Sequence, residues 1–126
     1  MSRDLFRNIE KLKKFRSTIY VSRLDRINKD PSLLREVLRI SRIAGKRLYI
    51  FIFTREGPSQ WAPSVRDTLS ENIDVSVYLY EIQEIDALIN ILAELCSSTA
   101  LLIFSSEDLM REVMSRNINC GEIVAL

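Results

Sequence analysis

The chain has 126 residues, enough for one domain with a sizeable core, and its 47% hydrophobic and 28% charged residues are ordinary for a globular protein. It holds no histidine and only two cysteines, Cys96 and Cys120, which excludes Ser-His and Cys-His nucleophile pairs and the common structural zinc sites. The net charge of +1 conceals a division: residues 1–55 carry 15 Lys and Arg against 5 Asp and Glu, whereas residues 56–126 carry 3 against 12. Such asymmetry between halves raises the expectation of a polyanionic partner or of electrostatic self-association, although two oppositely charged faces of one small domain satisfy it equally.

Residues 2–15 form the first predicted element, an amphipathic helix with Ser2 at the N-cap position. Leu5, Phe6, Ile9, Leu12 and Phe15 recur at i, i+3 and i+4 spacing, and Arg3, Arg7, Lys11 and Lys14 make a parallel basic stripe. Residues 17–22 are β-branched and aromatic and predict a short strand. Residues 22–30 read as a polar connection carrying Arg23, Asp25, Arg26 and Lys29.

Asp30-Pro31 predicts a helix start, with Asp at the N-cap and Pro in the first turn, and the helix is expected to run to Ala44 with Gly45 as a left-handed C-cap. Leu33, Leu34, Val37, Leu38 and Ile40 or Ile43 supply its apolar side, while Arg35, Arg39 and Arg42 share one stripe. Residues 47–54 follow as a second strand, with an apolar run from Leu48 to Phe53. A helix between two such runs predicts a right-handed βαβ unit.

Residues 55–63 are loop-like and lead to Trp61, the single tryptophan, and residues 63–71 predict a short helix. Residues 74–80 alternate strictly, Val75, Val77 and Leu79 against Ser76, Tyr78 and Tyr80, which predicts a half-buried strand near a sheet edge. A helix over residues 85–95, with Leu88, Ile89, Leu92 and Leu95 as its apolar side, precedes the five-residue apolar run 100–104. That uninterrupted run suits a strand covered on both faces, and Ser105, Ser106, Glu107 and Asp108 follow where open α/β folds place ligands. A helix over 107–116 and a short strand over 122–125 complete the chain.

Regular alternation of strands and helices predicts an α/β fold. We expect a three-layer Rossmann-like domain over residues 17–126, with a mostly parallel five-stranded sheet and an extra basic helix over residues 1–16. The three glycines are too few for a Walker A loop or a dinucleotide-binding glycine-rich turn. No apolar run approaches a membrane span, and charge begins at Arg3, so a cytoplasmic protein is expected. The pairing of the two cysteines is left open.

The stretches 84–90 (Glu-Ile-Asp-Ala-Leu-Ile-Asn) and 101–109 (Leu-Leu-Ile-Phe-Ser-Ser-Glu-Asp-Leu) resemble PIN/NYN-type nuclease domains. Those proteins share an acid at a helix start, an apolar strand, a serine or threonine, and an Asp at the next helix. The resemblance covers about a third of the chain, the closing segment 119–124 included, and implies Asp86 and Asp108 as metal-binding carboxylates for Mg²⁺ or Mn²⁺. The chain departs from that family at the first strand, where Ser22 stands in place of an Asp, leaving Asp25 as the third candidate. First-turn acids also complement a helix dipole without any metal. The Arg- and Ile-rich, histidine-free composition also resembles that of small proteins from thermophilic archaea.

Three functional readings follow. The leading one is a non-catalytic, cofactor-free module that binds nucleic acid or an acidic protein through Arg3, Arg7, Lys11, Lys14, Arg35, Arg39 and Arg42. Trp61, Tyr78 and Tyr80 would add stacking where exposed, and the absence of any base-reading motif predicts contacts to backbone rather than sequence. The second reading is a divergent metal-dependent nuclease using Asp25, Asp86 and Asp108. The third is an interaction subunit that forms a homo-oligomer through oppositely charged faces.

Overall fold

The structure is a computed structural model that describes residues 7–54, 61–71 and 74–126. Ser2, Arg3, Leu5 and Phe6 of the predicted first helix, and positions 55–60 of the predicted loop, lie outside the described residues. Along the chain the elements are α1 (Ile9–Leu12), β1 (Ser17–Arg23), α2 (Leu24–Lys29), α3 (Ser32–Ile43), β2 (Arg47–Phe53), α4 (Pro63–Glu71), β3 (Ser76–Ile82), α5 (Ile85–Leu95), β4 (Ala100–Phe104), α6 (Glu107–Met114) and β5 (Glu122–Ala125). The five strands form one all-parallel sheet in the order β3-β2-β1-β4-β5, with helices on both faces, a Rossmann-like three-layer architecture.

The apolar runs became strands because both of their faces are needed. Every residue of β4 is buried, as are five consecutive positions of β1. Tyr20, Leu48, Ile50, Ile52, Leu101, Ile103 and Val124 point to one side, where Leu12 of α1, Ile27 of α2, Leu34, Val37, Leu38 and Ile40 of α3 and Val65 of α4 cover them. Ile19, Val21, Phe51, Ala100, Leu102 and Phe104 point to the other, under Leu88 and Leu92 of α5 and Leu109 and Val113 of α6. The split follows the path of the chain. Travel from β1 through β2 to β3 leaves its helices on one face, and the return past β1 to β4 and β5 leaves them on the opposite one.

Local chemistry sets the boundaries. Asp30 accepts hydrogen bonds from the backbone N–H of Ser32, at 3.3 Å, and from the Ser32 hydroxyl, but the N-cap position falls on Pro31 and α3 begins at Ser32, one residue later than expected. Gly45 ends α3 at φ +85°, and a Cβ there would lie 2.0 Å from the Arg16 carbonyl oxygen, so no other residue fits.

Three expectations change. Residues 22–30 contain a helix rather than a plain connection: Asp25 lies in the first turn of α2 and Arg26 and Lys29 in its last, which complements the dipole at both ends. The third strand is displaced by two residues, because pairing with β2 carries it on to Ile82. The predicted first helix is interrupted at Asn8, which caps α1 by accepting the backbone N–H of Lys11 at 3.2 Å; α1 ends at Leu12, so Arg7 and Lys14 flank it, and Phe15 packs on the core from the segment that follows.

Cys96 and Cys120 form a disulfide that ties the end of α5 to the segment before β5 across a separation of 24 residues. Reducing it should lower the unfolding free energy by about 3 kcal/mol through the entropy restored to the unfolded chain, measurable as a shift in denaturant midpoint. In β1, the buried Thr18 hydroxyl has no hydrogen-bond partner among the described residues. Thr18→Val removes that unsatisfied group at nearly constant shape and should raise stability by about 1 kcal/mol in the same experiment.

Candidate functional site

The strand order reverses at β1, so the crevice outside the carboxyl ends of β1 and β4 is where this fold class places ligands. Its floor is a chain of hydroxyls. The Ser22 Oγ donates to the Arg23 carbonyl at 3.3 Å, and the Ser105 Oγ donates to the Ser22 Oγ. The Tyr20 hydroxyl, 2.6 Å from the Ser105 Oγ, must then be a donor. Burial pushes the Tyr20 phenol above its usual pKa, against the opposing effect of the two serines, so it stays protonated and is no base at neutral pH. Arg26 closes the ladder by donating from Nε to the Ser105 carbonyl at 3.3 Å.

Above this floor, Arg23 donates to the Asp108 carboxylate, and the Ser106 Oγ donates to its other oxygen at 2.5 Å. The Arg23 guanidinium also lies 5.4 Å above the Phe53 ring. An open cleft of about 520 Å³ runs from Arg23 and Phe53 to Leu109, Arg111, Glu112 and Ser115 of α6. The arginine and then the serine hold the Asp108 carboxyl far below the ordinary carboxylate range.

The three predicted carboxylates are not brought together. Asp108 serves Arg23, Asp86 pairs with Arg116 at 3.2 Å, and Asp25 accepts the backbone N–H of Arg26 at 3.0 Å. Among the described residues no three Asp, Glu, Cys or His side chains cluster closely enough to hold a metal ion. Every one of these acids also sits in the first turn of a helix, where the dipole favours it. Arg23 and Arg26 had drawn no role from the sequence, since their partners lie 85 and 79 positions away.

The two basic helices, by contrast, share one layer. α1 packs against α3 on the same face of the sheet, so Lys11 lies on the layer that also carries Arg35, Arg39 and Arg42, with Arg7 just before α1 and Lys14 just after it. All six are exposed. Arg39 grips Glu36 through Nη2 at 2.6 Å and Arg42 grips Asp74 through Nε at 2.9 Å, and each hydrogen bond holds the acid below its usual pKa. Arg7, Lys11, Lys14 and Arg35 make no ion pair with a described carboxylate. Arg3 is outside the described residues. The acid-rich second half of the chain supplies α5 and α6, so the opposite layer is the acidic one.

Tyr78 and Tyr80 are exposed on β3 and stack on Tyr49 and Phe51 of β2, at ring separations of 5.0 and 4.9 Å. Trp61 is half-buried against the core and donates from Nε1 to Glu81 at 3.1 Å.

Because the Asp108 pKa is depressed in the folded chain, the pair's contribution to stability is complete above the unfolded value of about 3.9 and disappears as pH falls through the lower folded value. In Arg23→Ala the Asp108 carboxyl should titrate higher than in the wild type, still held below that unfolded value by Ser106, and the acid limb of stability should flatten. Carboxyl chemical shifts followed against pH check both, and an unchanged Asp108 titration would remove the pair from the account. No family model matches the chain, and no curated protein or solved structure shows significant similarity to it.

Proposed function

We propose that this chain is a non-catalytic nucleic-acid-binding module, and that the basic layer formed by α1 and α3 is its phosphate-contacting surface. The observation that carries the reading is the packing of α1 beside α3, which gathers Arg7, Lys11, Lys14 and Arg35 with no described acid to neutralise them. Flexible, exposed cations at helical spacing bind phosphates by releasing condensed counterions, a contribution that does not depend on base sequence. Arg39 and Arg42 flank the surface with charges already shared with Glu36 and Asp74, so they act as secondary contacts. Arg3 belongs to the same sequence stripe. An acidic protein surface presents related chemistry but lacks the regularly repeated phosphates that several separate exposed cations can contact together.

The reading also bears on location. We assign the chain to the cytoplasm. A structural disulfide is unusual there in mesophiles and common in intracellular proteins of hyperthermophiles, which agrees with a composition resembling small archaeal proteins.

Binding to labelled single- and double-stranded DNA and RNA, measured across a salt series with and without Mg²⁺ or Mn²⁺, tests the proposal. With four phosphate contacts, affinity for duplex should fall about 100-fold between roughly 50 and 200 mM salt. The triple substitution Lys11→Ala, Lys14→Ala, Arg35→Ala should weaken binding to all sequences alike and reduce the log-log salt slope by about 3. Salt-insensitive binding, or none, would refute it. Cleavage that requires metal and is abolished by Asp108→Ala would replace it with the nuclease reading.

A further inference from the structure

The two halves of the Cys96–Cys120 bond sit on unlike parts of the fold. Cys96 follows α5 directly and donates its backbone N–H to the carbonyl of Leu92, a fully buried residue, at 2.9 Å. The turn beyond it is tied to itself: the Ala100 N–H donates to the Ser97 carbonyl at 3.1 Å and the Thr99 N–H to the Ser97 Oγ at 3.3 Å. The chain then enters β4, which is buried throughout. Cys120 belongs to a far more weakly held segment. The chain leaves α6 through Asn117, at φ +56°, and of residues 117–126 only Val124 is buried. Ile118, Ile123 and Leu126 pack on the two cores from half-exposed positions. β5 has four residues and pairs with β4 alone, from Leu101↔Glu122 to Phe104↔Ala125.

We propose that the Cys96–Cys120 bond is a redox latch: a dithiol reductant opens it, and residues 117–126 then leave the edge of the sheet while β1, β2, β3 and β4 stay paired. The bond pins the end at which β5 joins the chain. Beside it the Gly121 N–H donates to the Ala100 carbonyl at 3.0 Å, and a Cβ at 121 would lie 2.3 Å from the Ser98 carbonyl oxygen. While the latch is closed, β5 can part from β4 only from its other end, where the Leu126 N–H donates to the Phe104 carbonyl at 2.7 Å. Once it is open, the whole segment regains backbone freedom together, and one buried side chain opposes that gain. The opened edge is the outer side of β4, where Ile103 is paired with Val124.

Both cysteines are half-buried, and exposed Ser97, Asn119 and Gly121 flank them, so a thiolate can reach the bond. One thiolate of the reductant attacks one cysteine sulfur, the S–S bond breaks, and the other cysteine leaves as a thiolate and takes up a proton. The second thiolate of the reductant then displaces the first cysteine, which is protonated in turn. The protein gains two electrons and two protons, and the dithiol departs as a disulfide. The latch does not depend on the nucleic-acid reading.

Native-state hydrogen exchange of the full chain, at urea concentrations below the unfolding transition, tests the proposal. The chain is compared oxidised, after treatment with dithiothreitol, and as the double variant Cys96→Ser, Cys120→Ser. Reduction should cut the protection of the Gly121 amide and those of β5 about 100-fold, the weight of a cross-link closing a loop of 24 residues. Their exchange should also become insensitive to urea, the sign of local opening. The amides of β1 should remain better protected and keep the urea dependence of global unfolding. The double variant should match the reduced chain with no reductant present, and reoxidation of the wild type should restore protection. Unchanged β5 amides would overturn the proposal. So would β5 and β1 amides that fall in step with one urea slope, since the bond would then stabilise the whole fold alike. Outright unfolding of the reduced chain, or a bond that dithiothreitol leaves closed to alkylation by iodoacetamide, would overturn it equally.

Discussion

β1 is the constraint on which the rest depends. It is buried on both faces and hydrogen-bonded on both sides, to β2 and to β4, so it can exist only in the middle of a sheet covered by two helical layers. It is also where the chain turns back across the sheet. Helices met on the outward path therefore share one layer, and helices met on the return share the other. A charge difference written along the chain, basic first and acidic later, thus becomes a difference between two faces. In a fold with helices on one side only, the same sequence asymmetry would have mixed into a single surface.

The candidate acids at the carboxyl ends of the strands are engaged one by one rather than together. Each candidate carboxylate is bound by a cation or a backbone N–H of its own, and the hydroxyl ladder beneath is internally satisfied. The Arg23–Asp108 pair is only partly shielded from water, so its worth to stability is modest, in keeping with exposed ion pairs generally. Its effect is positional. It fixes the Arg23 guanidinium against Phe53 and ties the start of α6 to the end of β1, holding the mouth of the cleft in one shape.

On the other layer the cations serve two purposes. Arg39 and Arg42 stitch α3 to itself and to the segment before β3, while Lys11, Lys14 and Arg35 remain available. Leu12 and the buried side of α3 lock both helices to the same sheet face, which keeps Lys11 and the arginines of α3 on one side of the sheet.

Most elements were legible locally. The buried runs of β2 and β4, the helix from Ile85 to Leu95, the Gly45 stop and the short final strand follow from apolar period and turn chemistry within a few residues. The edge position of β3 was legible too, although the alternation predicted one covered face and the structure leaves Leu79 exposed along with Tyr78 and Tyr80, because no helix covers that part of the edge strand closely. α2 escaped because six residues with one deeply buried side chain, Ile27, display no period. Strand order, the side of the sheet each helix covers, the Cys96–Cys120 bond and the separate partners of Asp86 and Asp108 belong to the tertiary structure alone. Local pattern records which face of an element is apolar, a property of neighbouring residues. Which elements then meet depends on the free energy of packing the whole chain, summed over contacts tens of residues apart, and no short stretch carries that sum.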